Sequence, residues 1–389
     1  MRRAEWKSAK PDCRKRFPVV YFFPGKRVRR QFRRGTSEWI TWTVFHSAKR
    51  VRNMVTIRDV AMRAGVPEKT AMRALSGVTQ GKRRDARERL ERVRKAAAEL
   101  GYQPSAIARA LRKGKTRTIG LMVGSITNRY FASLAETVLE EAEACGYRMI
   151  LELTRGNAEK SISSMEHLQR SRVDGIFYAS GYFPEERPAL EKLRSAGVPI
   201  IMLYPNPGGI ASVGRDHSVS LPPAVGDLAR RGVREITLSA WDSRTPQDEI
   251  FIDLFMNACR KFRLIPRLHR PRSLADMESL ADAEPPALIC DAPYCLKHFF
   301  HRIRGRADYA PFVTGIYDEW NWPEHPETLT GAILLQSEKQ IRLAVRELIG
   351  QIEQDNPPCA ITLQSRFYPR ENFHEIPVKD LSFQHLFSF

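Results

Sequence analysis

The chain has 389 residues, 42% of them hydrophobic and 28% charged, which is enough to build two or three domains around sizeable cores. No apolar run approaches the ~18 residues that cross a bilayer, and the opening MRRAEWKSAKPDCRKRF lacks the apolar stretch of a secretory signal. The net charge of +19 excludes an evenly mixed surface: residues 1–53 carry 16 basic and 3 acidic side chains, residues 54–115 carry 16 and 6, and the remaining 274 carry 31 and 35.

A basic front on a near-neutral body points to a polyanionic partner held at one end of the molecule. Residues 1–53 mix Arg/Lys clusters with isolated aromatics (FPVVYFF, RRQFRRG, EWITWTVF) and show neither strand nor helix periodicity. The expectation is that Met54, standing directly before MVTIRDVAMRAG, begins the natural protein. A disordered basic arm that adds non-specific phosphate contacts and a targeting segment are the alternatives.

Residues 54–102 read as a three-helix unit. Thr56 and Asp59 have the spacing of a capping pair, Ile57, Val60 and Ala61 share a face, and Gly65 supplies a turn. Pro67 suits the first position of a second helix from Glu68 to Leu75, with Ala71, Ala74 and Leu75 packed and Glu68, Lys69, Met72 and Arg73 exposed. A third helix follows, with Asp85 and Glu88 as a capping box and Leu90, Val93, Ala97 and Leu100 on its inner face. Helix, glycine turn and helix at this size make a helix-turn-helix, whose second helix enters the DNA major groove.

TIRDVAMRAGVPEKTAMRALSG followed by ELGYQPSAIARALRKGKTRTIGLMV resembles the lactose-repressor (LacI/GalR) family of bacterial regulators. The resemblance runs from about residue 55 to 373, strongest through residue 180 and again at Val213–Asp216 and Tyr368–Arg370. It implies that Glu68 and Lys69, opening the second helix, read base edges, with Arg73 one turn later. The chemistry fits, since Arg pairs bidentately with guanine, Lys donates to guanine and Glu accepts from cytosine. Thr56 would contact a phosphate. Two departures stand out: Pro67 replaces the family's usual serine, and the loop from Ser76 to Asp85 is long, with Lys82, Arg83 and Arg84 tracking the backbone.

Residues 103–115 then resemble the family's hinge helix and linker, too short to be helical without a partner and DNA. There the resemblance places Leu111 as the apolar wedge that opens the central step of the operator, with Ser105 and Arg109 as flanking polar contacts. The alternative is a linker whose leucine packs on the domain behind it.

From residue 116 to 389, apolar runs alternate with helical stretches. TIGLMV, YRMILEL, VDGIFYAS, VPIIMLY, REITLSA, PALIC and APFVTGIY suit buried parallel strands. Repeated βα units make a doubly wound sheet, with ligands beyond the carboxyl ends of its strands. The family resemblance implies two such lobes, as in periplasmic sugar-binding proteins, with an effector cleft between them and dimerisation through this body. The fold class is thus α/β: an N-terminal helix-turn-helix headpiece plus a two-lobed doubly wound regulatory domain. By resemblance Tyr130 and Phe131 line the pocket and Asp318 binds ligand hydroxyls, while Asp291 stands where an amide is common. Phe251 stands where an arginine usually grips the ligand, a loss that removes a fork for carboxylate or phosphate. Two aspartates among aromatics suit a neutral polyol or a cationic group; a vestigial pocket is the alternative.

No catalytic set stands out. Gly77–Lys82 is one spacer short of a phosphate loop, and Cys295, His298 and His301 drift apart around a helix rather than converging on a metal. The six cysteines (Cys13, Cys145, Cys259, Cys290, Cys295 and Cys359) have no zinc or disulfide spacing, consistent with a reducing cytoplasm. The expected molecule is therefore a DNA-binding transcription regulator, a repressor rather than an enzyme. It would bind a double-stranded, pseudo-palindromic operator as a homodimer, with a sugar-like or polyol effector, no cofactor, no metal and no membrane partner. A solute-binding protein or a carbohydrate-active enzyme sharing the two-lobed fold is the alternative.

Overall fold

The structure is a computed structural model that describes residues 55–376 apart from 76–83, 104–113, 128, 205–207, 242–245, 292, 321–322 and 324–327. The chain forms two compact units that divide between Tyr102 and Gln103.

In the first unit, α1 (Ile57–Ala64), α2 (Glu68–Leu75) and α3 (Arg84–Leu100) enclose a core of Val60, Ala61, Ala71, Ala74, Val93 and Ala96. Small residues at the crossings let the three axes approach closely, and Leu75, Leu90, Leu100 and Tyr102 close the margins. Thr56 caps α1 reciprocally: its hydroxyl accepts from the Asp59 N–H, and the Asp59 carboxylate accepts from the Thr56 N–H at 2.8 Å. Gly65, at φ 65°, ends α1 in the left-handed conformation, and the Val66 N–H reaches back to the Ala61 carbonyl at 3.1 Å.

Three details of the headpiece differ from expectation. Pro67 stands outside α2 and its carbonyl receives the first helical bond, from Ala71 at 3.0 Å, so it caps the helix rather than opening it. Met72 is half-buried, because its face turns partly toward the unit. Asp85 lies inside α3, and Glu88 pairs with Arg84 (3.1 Å) instead of reaching back to a capping position.

The second unit contains two six-stranded sheets. The first runs β11-β5-β4-β3-β1-β2, with β1 (Thr118–Val123), β2 (Arg148–Leu153), β3 (Gly175–Tyr178), β4 (Ile200–Met202), β5 (Ala211–Asp216) and β11 (Ala360–Gln364), all parallel. The second runs β12-β10-β9-β8-β6-β7, with β6 (Glu235–Ser239), β7 (Ile265–His269), β8 (Ala287–Cys290), β9 (Phe312–Tyr317), β10 (Gly331–Leu334) and β12 (Arg366–Pro369). There β12 is the antiparallel exception to the expected parallel pairing.

Helices cover both sheets: α4 (Arg129–Ala144), α5 (Ala158–Arg170) and α6 (Arg187–Ser195) follow β1, β2 and β3, while α7 (Leu221–Arg230), α8 (Pro246–Lys261), α9 (Leu274–Asp282) and α10 (Pro293–Ile303) belong to the second lobe. The chain passes between the sheets three times: after β5, after β10 and after β11. As a result α11 (Ser337–Gln354), which follows a strand of the second sheet, packs Ile341, Ala344, Val345 and Leu348 into the core of the first lobe. The central strands are buried on both faces, as their continuous apolar runs require, whereas the edge strands β2 and β7 are partly exposed. No helix among the described residues is long and apolar enough to cross a membrane.

Candidate functional site

The headpiece presents α2 outward. Glu68, Lys69 and Arg73 are all exposed, and Lys69 and Arg73, four residues apart, share one face. Behind them Ala71 and Ala74 are buried, so helix position is set by packing while the polar tips face solvent. Arg63 on α1 pairs with Glu99 on α3 at 2.9 Å across the surface of the unit. Thr56 is exposed, and its hydroxyl also donates to the Asp59 carboxylate at 2.8 Å, so a phosphate would compete for that hydrogen. Lys82, Arg83, Ser105, Arg109 and Leu111 lie outside the described residues, as do residues 1–53 and the Gly77–Lys82 loop.

In the body, four of the five expected effector residues gather at the carboxyl ends of the strands. Tyr130, at the start of α4, meets Phe131 edge to face at 5.2 Å and Trp320 at 6.1 Å. Asp318, directly after β9, is buried, and its carboxylate accepts from the Trp320 N–H at 2.9 Å. Asp291, directly after β8, is half-buried and accepts from the Trp241 N–H at 3.1 Å. Burial pushes its pKa up to about 7, and the Asp248 carboxylate nearby adds to the rise. Tyr204 feels both groups: burial raises its pKa, the Arg215 charge opposes the rise, and the Asp248 and Asp291 carboxylates add to it. Phe251 sits apart from the cluster, half-buried against the second lobe's core with its ring 5.1 Å from His217.

Residue-by-residue reading missed the cation that organises this cluster. Arg215 is the next-to-last residue of β5, and its guanidinium donates to the Tyr130 hydroxyl (2.9 Å), to Ser337 (2.8 Å) and to Gln340 (2.8 Å) while lying 5.3 Å over the Tyr130 ring. Gln340 is itself locked, donating to the Leu203 and Val213 carbonyls at 3.1 and 2.6 Å. Position was the available signal, since an arginine follows Val213 and Gly214 near the carboxyl end of a strand. Arg215 thus brings a guanidinium from the first lobe to this cluster, with two of its nitrogens already committed.

Next to it, His217 is held neutral well below the usual histidine range: burial, helped by the Arg215 charge, depresses its pKa to about 4. A cavity of about 390 Å³ is lined by none of Tyr130, Phe131, Phe251, Asp291 or Asp318. His298 faces Glu278 at 3.8 Å rather than a metal-ligating set, and no group of three or more His, Cys, Asp or Glu converges among the described residues.

Comparison with known proteins agrees with this architecture. Residues 116–218 match the family described as periplasmic binding proteins and sugar binding domain of LacI family. Catabolite control protein A of Priestia megaterium is 32% identical over 184 residues, 47% of this chain and 54% of that protein. The HTH-type transcriptional repressor PurR of Erwinia tasmaniensis is 39% identical over 132 residues, 34% of this chain and 38% of that protein. The chain therefore aligns with about half the length, or less, of these curated relatives. Among solved structures, a lac repressor bound to ONPG superposes with a TM-score of 0.69 at 17% identity, covering 81% of this chain and 98% of that one. Cra of Pseudomonas putida in complex with fructose 1-phosphate gives 0.59 at 18%, covering 65% and 98%. The body thus has the two-lobed fold of these solved structures, and its residues 116–218 are similar to the sugar binding domain of LacI family proteins.

Proposed function

We propose that this chain is a sequence-specific DNA-binding transcription regulator, a repressor. In this reading it binds a pseudo-palindromic operator as a homodimer and answers to a sugar-like or polyol effector held between its lobes. One observation carries the proposal: Glu68, Lys69 and Arg73 stand exposed on α2, behind a Thr56-capped α1 and a Gly65 turn, on a unit that precedes a two-lobed body. Base-edge recognition by a helix needs that combination of a rigid back and polar front. The basic surplus of residues 1–115 supplies the phosphate attraction that brings the helix to the groove. The names of the relatives, a catabolite control protein and an HTH-type transcriptional repressor, point the same way.

In the cleft, Asp291 and Asp318 offer acceptors to ligand hydroxyls, and Tyr130, Phe131 and Trp320 offer faces to a sugar ring. Phe251 would close the far side beside His217. Effector binding would bias the lobe orientation, and through it the hinge segment, where Ser105, Arg109 and Leu111 would enter the minor groove.

The test is selection of bound genomic fragments by the full chain, followed by footprinting. The expected result is a protected pseudo-palindrome with a distorted central step, bound with a steep inverse dependence on salt. Failure to enrich any fragment at moderate salt, with or without added cell extract metabolites, would sink the proposal. Leu111→Ala is expected to reduce both affinity and bending, and unchanged values would assign Leu111 to packing instead.

A further inference from the structure

The cavity of about 390 Å³ is remote in kind from the expected effector cluster, because its walls come from the segments that pass between the lobes. Val219 lies between β5 and α7, Gln336 between β10 and α11, and Gln364, Ser365 and Arg366 span the passage from β11 to β12. All three crossings therefore contribute, and hydrogen bonds already staple them together. The Gln336 amide donates to the Gln364 carbonyl at 2.8 Å, and the Ser365 hydroxyl lies 2.6 Å from that of Ser220 and donates to the Asp216 carbonyl at 3.0 Å. A molecule seated here touches chain from both sheets at once.

The wall chemistry selects the ligand. Residues 364 and 366 alternate around buried Ser365, so the Gln364 amide and the Arg366 guanidinium project on the same side of an extended segment. Both are exposed, and neither makes a side-chain hydrogen bond or ion pair with another described residue; Arg366 lies 5.0 Å over the Tyr368 ring, which leaves its N–H edge open. No carboxylate lines the cavity, while Val219 and Phe367 supply apolar flanks. A fork of N–H donors beside an amide and apolar walls matches a small organic anion with an apolar body. The volume falls within the roughly 300–1,000 Å³ of small-molecule sites.

We infer that the cavity at the three lobe crossings is a second ligand site, for a small organic carboxylate, whose occupancy braces the two lobes against each other. The site shares no lining residue with the expected effector cluster, although Ser365 lies 3.2 Å from His217 Nδ1, and it does not depend on what the headpiece binds. Because the bound anion bridges the crossings, it holds best in one lobe orientation and shifts the population toward it.

Isothermal titration of the full chain with benzoate, benzamide and benzylamine tests the assignment. A ligand of benzoate's size reaches about millimolar affinity at such a site. Benzoate is expected to saturate in that range, with the neutral and cationic analogues at least ~10-fold weaker, as follows from loss of a charge-assisted pair. Arg366→Ala removes the preference, Arg366→Lys keeps part of it, and Arg260→Ala, at an exposed arginine on α8, leaves it intact. Hydrogen exchange on the same samples reads the bracing, with slowed exchange expected in residues 216–221, 334–337 and 364–366 together. Absence of saturation, equal binding of the three probes, or retained preference in Arg366→Ala overturns the site. Protection confined to one crossing overturns the bracing.

Discussion

Asp291 and His217 are two residues whose titrations oppose each other. Asp291 carries a pKa raised to about 7, by burial above all, so its protonated form is favoured in the fold. Stability from this residue is present at low pH and falls as pH rises from the unfolded carboxylate value through about 7. His217 carries a pKa lowered to about 4, again by burial and then by Arg215, so its neutral form is favoured. Its contribution is present above the unfolded imidazole value and is lost as pH falls through about 4. Across pH 4 to 6.5 the two slopes offset, and thermal melts of the native chain are expected to vary little there on their account. Asp291→Asn should leave a melting temperature that rises with pH over this window, and His217→Gln one that falls. Identical pH profiles for the two variants would show that neither group titrates as its burial dictates. Arg73 yields a further expectation that depends on DNA binding: Arg73→Ala should cost about 1–3 kcal/mol of operator affinity and relax preference at one base position, read by binding to a panel of single-base variants. Uniform weakening across the panel would make Arg73 a phosphate contact. Asp291, Asp318, Tyr130 and Phe131 were legible in the sequence because each sits at a strand end or helix start that family resemblance marks. Arg215 was not, since its role comes from Ser337 and Gln340, more than a hundred residues away and brought to it only by the crossing of α11.

At the scale of elements, α1 depends on its two ends more than on its length. Eight residues make a marginal helix in isolation, so the Thr56–Asp59 box and the Gly65 terminus supply a large share of its local stability. Thr56→Ala is expected to cost about 1 kcal/mol. Gly65→Ala should cost about 1–2 kcal/mol, because a Cβ is strained at positive φ although the space around it is open. Both are measured as a loss of headpiece helicity on heating, and full retention would mean that packing against α3 alone holds α1. These ends were legible because capping and turn chemistry are local. The seven apolar runs were legible as strands for a similar reason. Five strands were not: β7 (IPRLH) and β11 (AITLQ) are exposed edges, β12 (RFYP) and β10 (GAIL) are four residues long, and β5 (ASVGRD) ends in two charges. Their pairing is decided by neighbours distant in sequence, and a short or half-exposed strand leaves little hydrophobic signature of its own.

For the whole molecule, the crossings decide how it unfolds. Each lobe's core contains chain from the far side of a crossing: Leu348 and Ile352 of α11 fill the first lobe although β10 precedes them, and Phe367 of β12 packs on the second lobe after β11 has joined the first sheet. Neither lobe completes its core without the other's chain passing through it, so the body should unfold as one cooperative block. The headpiece, with a small core of mostly alanine and valine, is a separate compact unit and should melt independently at lower temperature. Scanning calorimetry of the full chain is therefore expected to show two transitions rather than one or three. Val93→Ala, in the headpiece core, should lower only the smaller transition. Leu348→Ala and Phe255→Ala, fully buried in different lobes, should each cost about 2–5 kcal/mol and move the same larger transition. Were the body to split so that each variant shifted its own peak, the exchanged helix and strands would be dispensable to cooperativity. Coupling between the lobes would then have to come from whatever occupies the space between them.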